Sequence, residues 1–249
     1  MGSFASPRPL YTNSAWKKQK NEYTTKNRNR SRLDIIIIHQ DAMHKYFLIG
    51  VDEVGRGSWA GPVVAAAYAL KQNANYVFSP LLNDSKKLSP KKREAIYAML
   101  TESMQQGLCH GGVGIVSPQT IDRVGIREAN RLAMEEALRQ VISQVWDNFQ
   151  TIKIDGRDNY AFSDITWSRI EYIVRGDSFV REIQAASILA KVSRDHLMED
   201  LAKTYTNYGL EKHKWYGTYL HAELLSKHWP SDIHRKSYAP IKKLILTRE

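Results

Sequence analysis

Residues 46–70 read YFLIGVDEVGRGSWAGPVVAAAYAL. Two apolar runs, Tyr46 to Val51 and Pro62 to Leu70, flank a glycine-rich stretch from Gly55 to Gly61. Short β-leaning runs bounded by glycine read as strands, and this pair reads as hairpin-like. Working outward, Gly111 to Val116, Thr151 to Ile154 and Tyr172 to Val174 supply further strands. Ser89-Pro90 is a helix start, with serine as cap and proline in the first turn, leading into Lys91 to Gln106. Ser117-Pro118 repeats the signal. Beyond it Ile126, Ala129, Ala133, Ala137, Val141 and Val145 form one core-facing stripe, and Arg181 to Lys203 is apolar and helical. Strands first, then helices alternating with strands, predict an α/β domain with a mixed sheet.

Composition bounds the function classes. The chain has 249 residues, 43% hydrophobic and 25% charged, ordinary values for a soluble globular protein with a core of its own. Its densest apolar patch, Ile35 to Ile38, is a strand fragment far too short to span a bilayer. The opening residues, Met1 to Lys20, carry no secretory pattern, and the single cysteine, Cys109, excludes an intrachain disulfide. Both fit a cytoplasmic protein. Lysine and arginine exceed the acids by 36 − 26 = 10, a field that attracts polyanions, chiefly nucleic acid. Eight of those cations (Arg8, Lys17, Lys18, Lys20, Lys26, Arg28, Arg30 and Arg32) stand against one acid, Glu22, near the start. Residues 1–45 therefore read as a disordered basic arm, adding phosphate attraction or simply a solvated tail, and 46–249 as the folded domain, with a helical extension from about 200.

The positions of the acids carry the chemistry. Asp52 and Glu53 follow an apolar strand and precede glycines, Asp155 closes a second strand before Gly156, and Asp177 closes a third after Gly176. Neighbouring strands lie roughly 5 Å apart, so carboxylates at three adjacent ends can share an ion. Such groups repel one another unless a cation sits among them. With only oxygen ligands offered and no His/Cys set at zinc spacing, the ion expected is Mg²⁺ or Mn²⁺. Two such ions suit phosphodiester hydrolysis. Any one Asp-Gly alone reads better as a turn; the four together in a basic chain read as a site.

Several motifs resemble those of ribonuclease HII. The segment Gly50-Val51-Asp52-Glu53-Val54-Gly55-Arg56-Gly57, followed by Ala60-Gly61-Pro62-Val63-Val64-Ala65, is similar to that family's opening motif. The likeness continues at Asp84-Ser85-Lys86-Lys87-Leu88, Ile121-Asp122, Ile154-Asp155-Gly156 and Gly176-Asp177-Ser178. It is densest from Ala185 to Asp195 and ends at Tyr208-Gly209-Leu210, His213-Lys214, Tyr216-Gly217-Thr218 and Ile233-His234-Arg235. It implies an RNase H-like fold, a mixed five-stranded sheet flanked by helices with a helical C-terminal part. It implies that Asp52, Glu53, Asp155 and Asp177 are catalytic and hold two Mn²⁺ or Mg²⁺ ions. It also implies that backbone groups of Gly55, Arg56 and Gly57 read the ribose 2′-hydroxyl, and that Tyr216 stacks beside the RNA–DNA junction. Lys86, Lys87, Ser187 and Lys191 join the substrate-binding set. Lys191 stands four residues before Asp195 and reads equally as half of a helix ion pair.

The expected activity is that of an endonuclease on the RNA strand of RNA–DNA hybrids and on DNA duplexes containing ribonucleotides. It cuts on the 5′ side of the ribonucleotide and leaves 3′-hydroxyl and 5′-phosphate ends, for ribonucleotide and RNA-primer removal. The expected state is a monomer off the membrane; a sliding clamp stays open as a partner, with nothing in the sequence to support it. Where the family has Pro-Leu after Gly-Arg-Gly this chain has Ser58-Trp59, and Trp215 replaces the glycine before the junction tyrosine. Both tryptophans are expected near the bound strand. His213, His221 and His234 read as structural or phosphate-facing rather than as ligands. Two rivals stay open: another RNase H-like nuclease lacking the 2′-hydroxyl-reading turn, and a catalytically silent nucleic-acid binder.

Overall fold

The computed structural model describes residues 47–71, 74–146, 148–163, 165, 170–210 and 215–247. The basic arm, the Ile35–Ile38 patch, His213 and Lys214 lie outside the described residues. Strand β1 (Phe47–Val54) is central. It pairs antiparallel with β2 (Val63–Lys71), from Phe47↔Lys71 to Val54↔Val64, which realises the expected hairpin-like pair. β2 pairs antiparallel with β3 (His110–Val116). On its other side β1 runs parallel to β4 (Phe149–Asp155), and β4 runs parallel to β5 (Ile170–Ile173). The result is a mixed five-stranded sheet in the order β3-β2-β1-β4-β5.

Between β2 and β3 lies α1 (Pro90–Gln105), capped by the Ser89 hydroxyl, which accepts from the Lys92 amide. α2 (Pro118–Val124) is capped likewise by Ser117. Gly125, at φ +81°, breaks the chain before α3 (Ile126–Val145). The long α4 (Arg181–Thr204), then α5 (Tyr219–His228) and α6 (Ala239–Leu246), complete the described helices.

Alternation along β1 and β2 divides the core into two layers. Odd positions, including Ile49, Val51, Val63, Ala65 and Ala67, pack on Ala129, Ala133, Ala137, Leu138 and Val141 of α3. Even positions, Ala66, Tyr68 and Leu70, pack on Ala185, Ala186, Ile188 and Leu189 of α4 and on Ile96 and Leu100 of α1. Both helices come unusually close to the sheet. A Cβ on Gly50 would fall 2.1 Å from the Glu182 carbonyl carbon at the start of α4, and one on Gly114 would fall 1.9 Å from the Ala133 carbonyl oxygen of α3. A third cluster gathers Ala60, Met198, Tyr208, Leu210, Trp215, Leu225, Ile233 and Ile241, tying the C-terminal part to the loop after β1.

Three expectations need correction. Asp52 and Glu53 lie inside β1 rather than after it, because β2 begins early enough to pair through Val54. β5 ends at Ile173, and Asp177 sits in a separate 3-10 turn, Gly176–Ser178, entered through Arg175 at φ +57°. Trp215 is fully buried in the third cluster. Its indole replaces solvent-facing contact with core packing, in a left-handed conformation (φ +73°) that glycine adopts more cheaply.

Gly50→Ala cannot be absorbed by a side-chain shift, since the obstacle is backbone. It is expected to cost about 1–3 kcal/mol by overpacking. Thermal unfolding should show a drop of several degrees, and an unchanged midpoint would contradict the direct seating of α4 on β1.

Candidate functional site

Register brings the acids together. Val51 of β1 pairs with Ile154 of β4, so Asp52 and Asp155 follow side by side on adjacent parallel strands. Asp155 also pairs with Ile173, and the turn after β5 folds back so that the Gly176 amide donates to Asp155 Oδ1 at 2.7 Å. That bond delivers Asp177. One carboxylate oxygen from each of Asp52, Asp155 and Asp177 lies within 4.8 Å of the others. Asp52 and Asp177 are buried and Asp155 is half-buried. Desolvation, followed by the charges of Glu53 and Asp155, pushes the Asp52 carboxyl well above its ordinary range, against hydrogen bonds from Ser187 and the Glu53 amide. Asp155 is raised by burial and then by Asp177. Close, water-poor, oxygen-only and mutually repelling, these groups fit a hard divalent cation.

Glu53 stands apart from this trio. As the neighbour of Asp52 in a strand it projects to the opposite face, toward α3. There it interacts with Asn130 and accepts from Arg56 Nη1 at 3.5 Å, while burial and Asp155 raise its carboxyl. Arg56 itself pairs with Asp158 (2.8 Å). Asp158 accepts from the Tyr160 hydroxyl (3.0 Å), which in turn accepts from Asn130 (3.0 Å).

The loop between β1 and β2 is held from below. Gly55, at φ +90°, lies so close to Arg194 that a Cβ there would fall 2.3 Å from Nε. Arg194 donates to the Pro62 carbonyl (3.1 Å) and to Ser58 Oγ (2.9 Å), and burial pulls its guanidinium down to about 10. Gly57 is exposed, and its nearest neighbour is the ring of Tyr216, 4.0 Å from where a Cβ would stand. Tyr216 is itself 43% exposed. Trp59, the other tryptophan expected near a bound strand, packs over Gly217 and beside His221. His221 and His234 are buried against each other, Nε2 to Nε2 at 3.2 Å, and so are structural.

On the α4 side, Lys86 Nζ reaches Asp177 Oδ2 at 3.5 Å while remaining mostly exposed. Burial lowers the Lys86 ammonium, but Asp177 and Asp52 outweigh it and leave it raised. Lys87 pairs with Asp84 at 3.9 Å. The Ser187 hydroxyl, buried next to Asp52, is shared with Ser85 Oγ at 2.9 Å. Lys191 pairs with Asp195, as its spacing allows. Sequence reasoning missed Asn130, Asp158, Tyr160 and Tyr238. It passed over Arg194 and Arg235 within their motifs, because arginine reads as a surface residue unless something says it is buried.

The family model "Ribonuclease HII" matches residues 49–241. The chain belongs to the ribonuclease HII family. Ribonuclease HII from Bacillus cytotoxicus is 39% identical over 235 residues, covering 93% of this chain and 83% of that protein. Ribonuclease HII from Chlamydia pneumoniae is 40% identical over 214 residues, covering 85% and 93%. Among solved structures, the ribonuclease H2 from Pyrococcus horikoshii superposes with a TM-score of 0.65 at 22% identity, covering 81% of this chain and 98% of that one. The Bst-RNase HIII complex with Mn²⁺ gives 0.66 at 18% identity, covering 82% and 70%. These similarities confirm the RNase H-like fold. As a member of that family the chain is a nuclease and a hydrolase, and among its described residues no helix is long and apolar enough to cross a membrane.

A carboxyl raised by folding stabilises the fold below its unfolded value, and that contribution is lost as pH rises through the folded value. Without cation, the Asp52 carboxylate therefore opposes folding near neutrality, by about 1.4 kcal/mol for each tenfold loss of its acidity. Metal-free Asp52→Asn is expected to melt a few degrees above metal-free wild type at pH 8, with the gap closing toward pH 4. Mg²⁺ or Mn²⁺ should raise the midpoint of wild type and not that of the variant. Scanning calorimetry checks both, and a variant melting at or below wild type at pH 8 would refute the repulsion.

Proposed function

We propose that this chain is an endonuclease that hydrolyses the RNA strand of RNA–DNA hybrids and cuts duplex DNA on the 5′ side of an embedded ribonucleotide. The products carry 3′-hydroxyl and 5′-phosphate ends, and the cellular task is removal of ribonucleotides and RNA primers. The observation that carries this reading is the carboxylate trio Asp52, Asp155 and Asp177, on the same strand end as the exposed Gly57 turn. Asp52, Glu53, Asp155 and Asp177 would hold the ions, with Glu53 approaching from the α3 face under the influence of Asp155. Bound there, two Mg²⁺ or Mn²⁺ ions supply an activated water and offset charge on the leaving oxygen. The Mn²⁺ named for the HIII relative is consistent with that choice.

The remaining groups bind and orient. Gly55, Arg56 and Gly57 offer backbone to the ribose, the one place where a 2′-hydroxyl separates RNA from DNA. Tyr216 stacks on the sugar or base beside the junction. Lys86, exposed beside Asp177, and Lys87 contact phosphates near the α1 N-terminus, whose first turn is already basic with Lys91, Lys92 and Arg93. Ser187 fixes Asp52, and Lys191 adds positive potential along α4. The arm, residues 1–45, contributes sequence-independent phosphate attraction to a monomeric, cytoplasmic enzyme.

End-labelled duplexes test this. A duplex with one ribonucleotide is expected to be cut once, 5′ of it, with Mg²⁺ or Mn²⁺ and not with EDTA, while the all-DNA duplex stays whole. Asp52→Asn should lower kcat on the order of a thousandfold, the scale of losing a transition-state charge stabiliser. Cutting of all-DNA duplex, or an Asp52→Asn enzyme of normal rate, would refute the proposal.

A further inference from the structure

The loop after β1 is shaped by two residues far downstream. Arg235 is fully buried, without a carboxylate partner among the described residues, and its Nη2 has no hydrogen-bond partner there. Its Nε donates to the Gly61 carbonyl at 3.0 Å and its Nη1 to the Arg56 carbonyl at 2.9 Å. The Tyr238 hydroxyl donates to that same Arg56 carbonyl and accepts from Arg235 Nη1 at 2.9 Å. One guanidinium thus spans both ends of the turn, and a second donor doubles its grip on the Arg56–Gly57 peptide.

Two consequences follow for that peptide. Among the described residues no peptide bond is cis, so the Gly57 N–H points opposite to the Arg56 carbonyl. With the carbonyl fixed inward on Arg235 and Tyr238, the amide is fixed outward, on an exposed glycine beside Tyr216. Neither the Arg56 nor the Gly57 amide donates to any described residue. A cationic donor on a carbonyl also polarises the whole peptide group, and this strengthens the N–H on its far side as a donor.

We infer that Arg235 and Tyr238 are positioning residues for sugar recognition: by holding the Arg56 carbonyl they aim and polarise the Gly57 amide toward the ribose 2′-hydroxyl. The inference rests on the proposed ribonucleotide-specific activity. It assigns part of that specificity to side chains that touch no substrate. A residue that merely bolts the loop down would affect all duplexes alike, whereas an amide-aiming residue affects only those that carry the hydroxyl.

Binding in the Asp52→Asn background, where cleavage is slowed on the order of a thousandfold, separates these cases. Fluorescence anisotropy compares a duplex carrying one ribonucleotide with the all-DNA duplex of the same sequence. Adding Tyr238→Phe, which deletes one hydroxyl, is expected to reduce the ribonucleotide-over-DNA affinity ratio about fivefold, the scale of one lost hydrogen bond, and to leave all-DNA affinity unchanged. Arg235→Lys, which cannot span both carbonyls, should reduce the ratio further. Should Arg235→Lys fold poorly in a melting scan, Tyr238→Phe alone decides. A parent that prefers the ribonucleotide while Tyr238→Phe keeps the full ratio overturns this inference alone. So does a parallel fall in both affinities. A parent with no preference overturns the ribonucleotide reading and this inference with it.

Discussion

Three carboxylates, two buried and one half-buried, each with an oxygen within 4.8 Å of the others, repel one another, and the arrangement around them is what keeps them there. Parallel pairing of β1 with β4 fixes Asp52 beside Asp155, and the Gly176 amide fixes the turn that brings Asp177 over. The sheet can enforce this because it is clamped from both faces by helices seated directly on glycine, α4 on Gly50 and α3 on Gly114. Packing and backbone pairing thus provide the free energy that offsets the electrostatic cost of the site. Function is the reason that cost is retained, since groups held in mutual conflict have the most to gain from a cation.

Most of the framework was legible in the chain. The glycine-bounded apolar runs gave the central strands, the Ser-Pro pairs gave two helix starts, and the stripe from Ile126 to Val145 gave α3. Clustering of Asp52, Asp155 and Asp177 followed from strand ends alone, although Asp177 reaches the site from a turn. Glu53 was expected beside that trio; because β1 runs through it, the two-residue period of a strand turns it to the α3 face instead.

What was not legible is the second layer. Arg194 and Arg235 occupy positions that a hydrophobicity pattern assigns to solvent, yet both are buried, because backbone carbonyls of the loop give each guanidinium its partners. Asp158 looks like an ordinary loop acid until Arg56 is found on it. Trp215 sits next to the exposed Tyr216 and shares its motif, but faces inward to fill the third cluster. In each case the deciding contact lies far away in sequence, where no local period or cap can announce it.

The bonds from Arg235 to the loop span 174 and 179 residues. Contacts of that separation close last, both entropically and during synthesis from the N-terminus. By the time Asp177 has been made, every acid of the site is available, yet the segment carrying Arg235 has still to be translated and docked. A nascent chain would therefore possess its acidic trio before the turn beside it is braced. Placing the brace so far downstream of the turn ties the shape of that turn to the docking of the C-terminal helices.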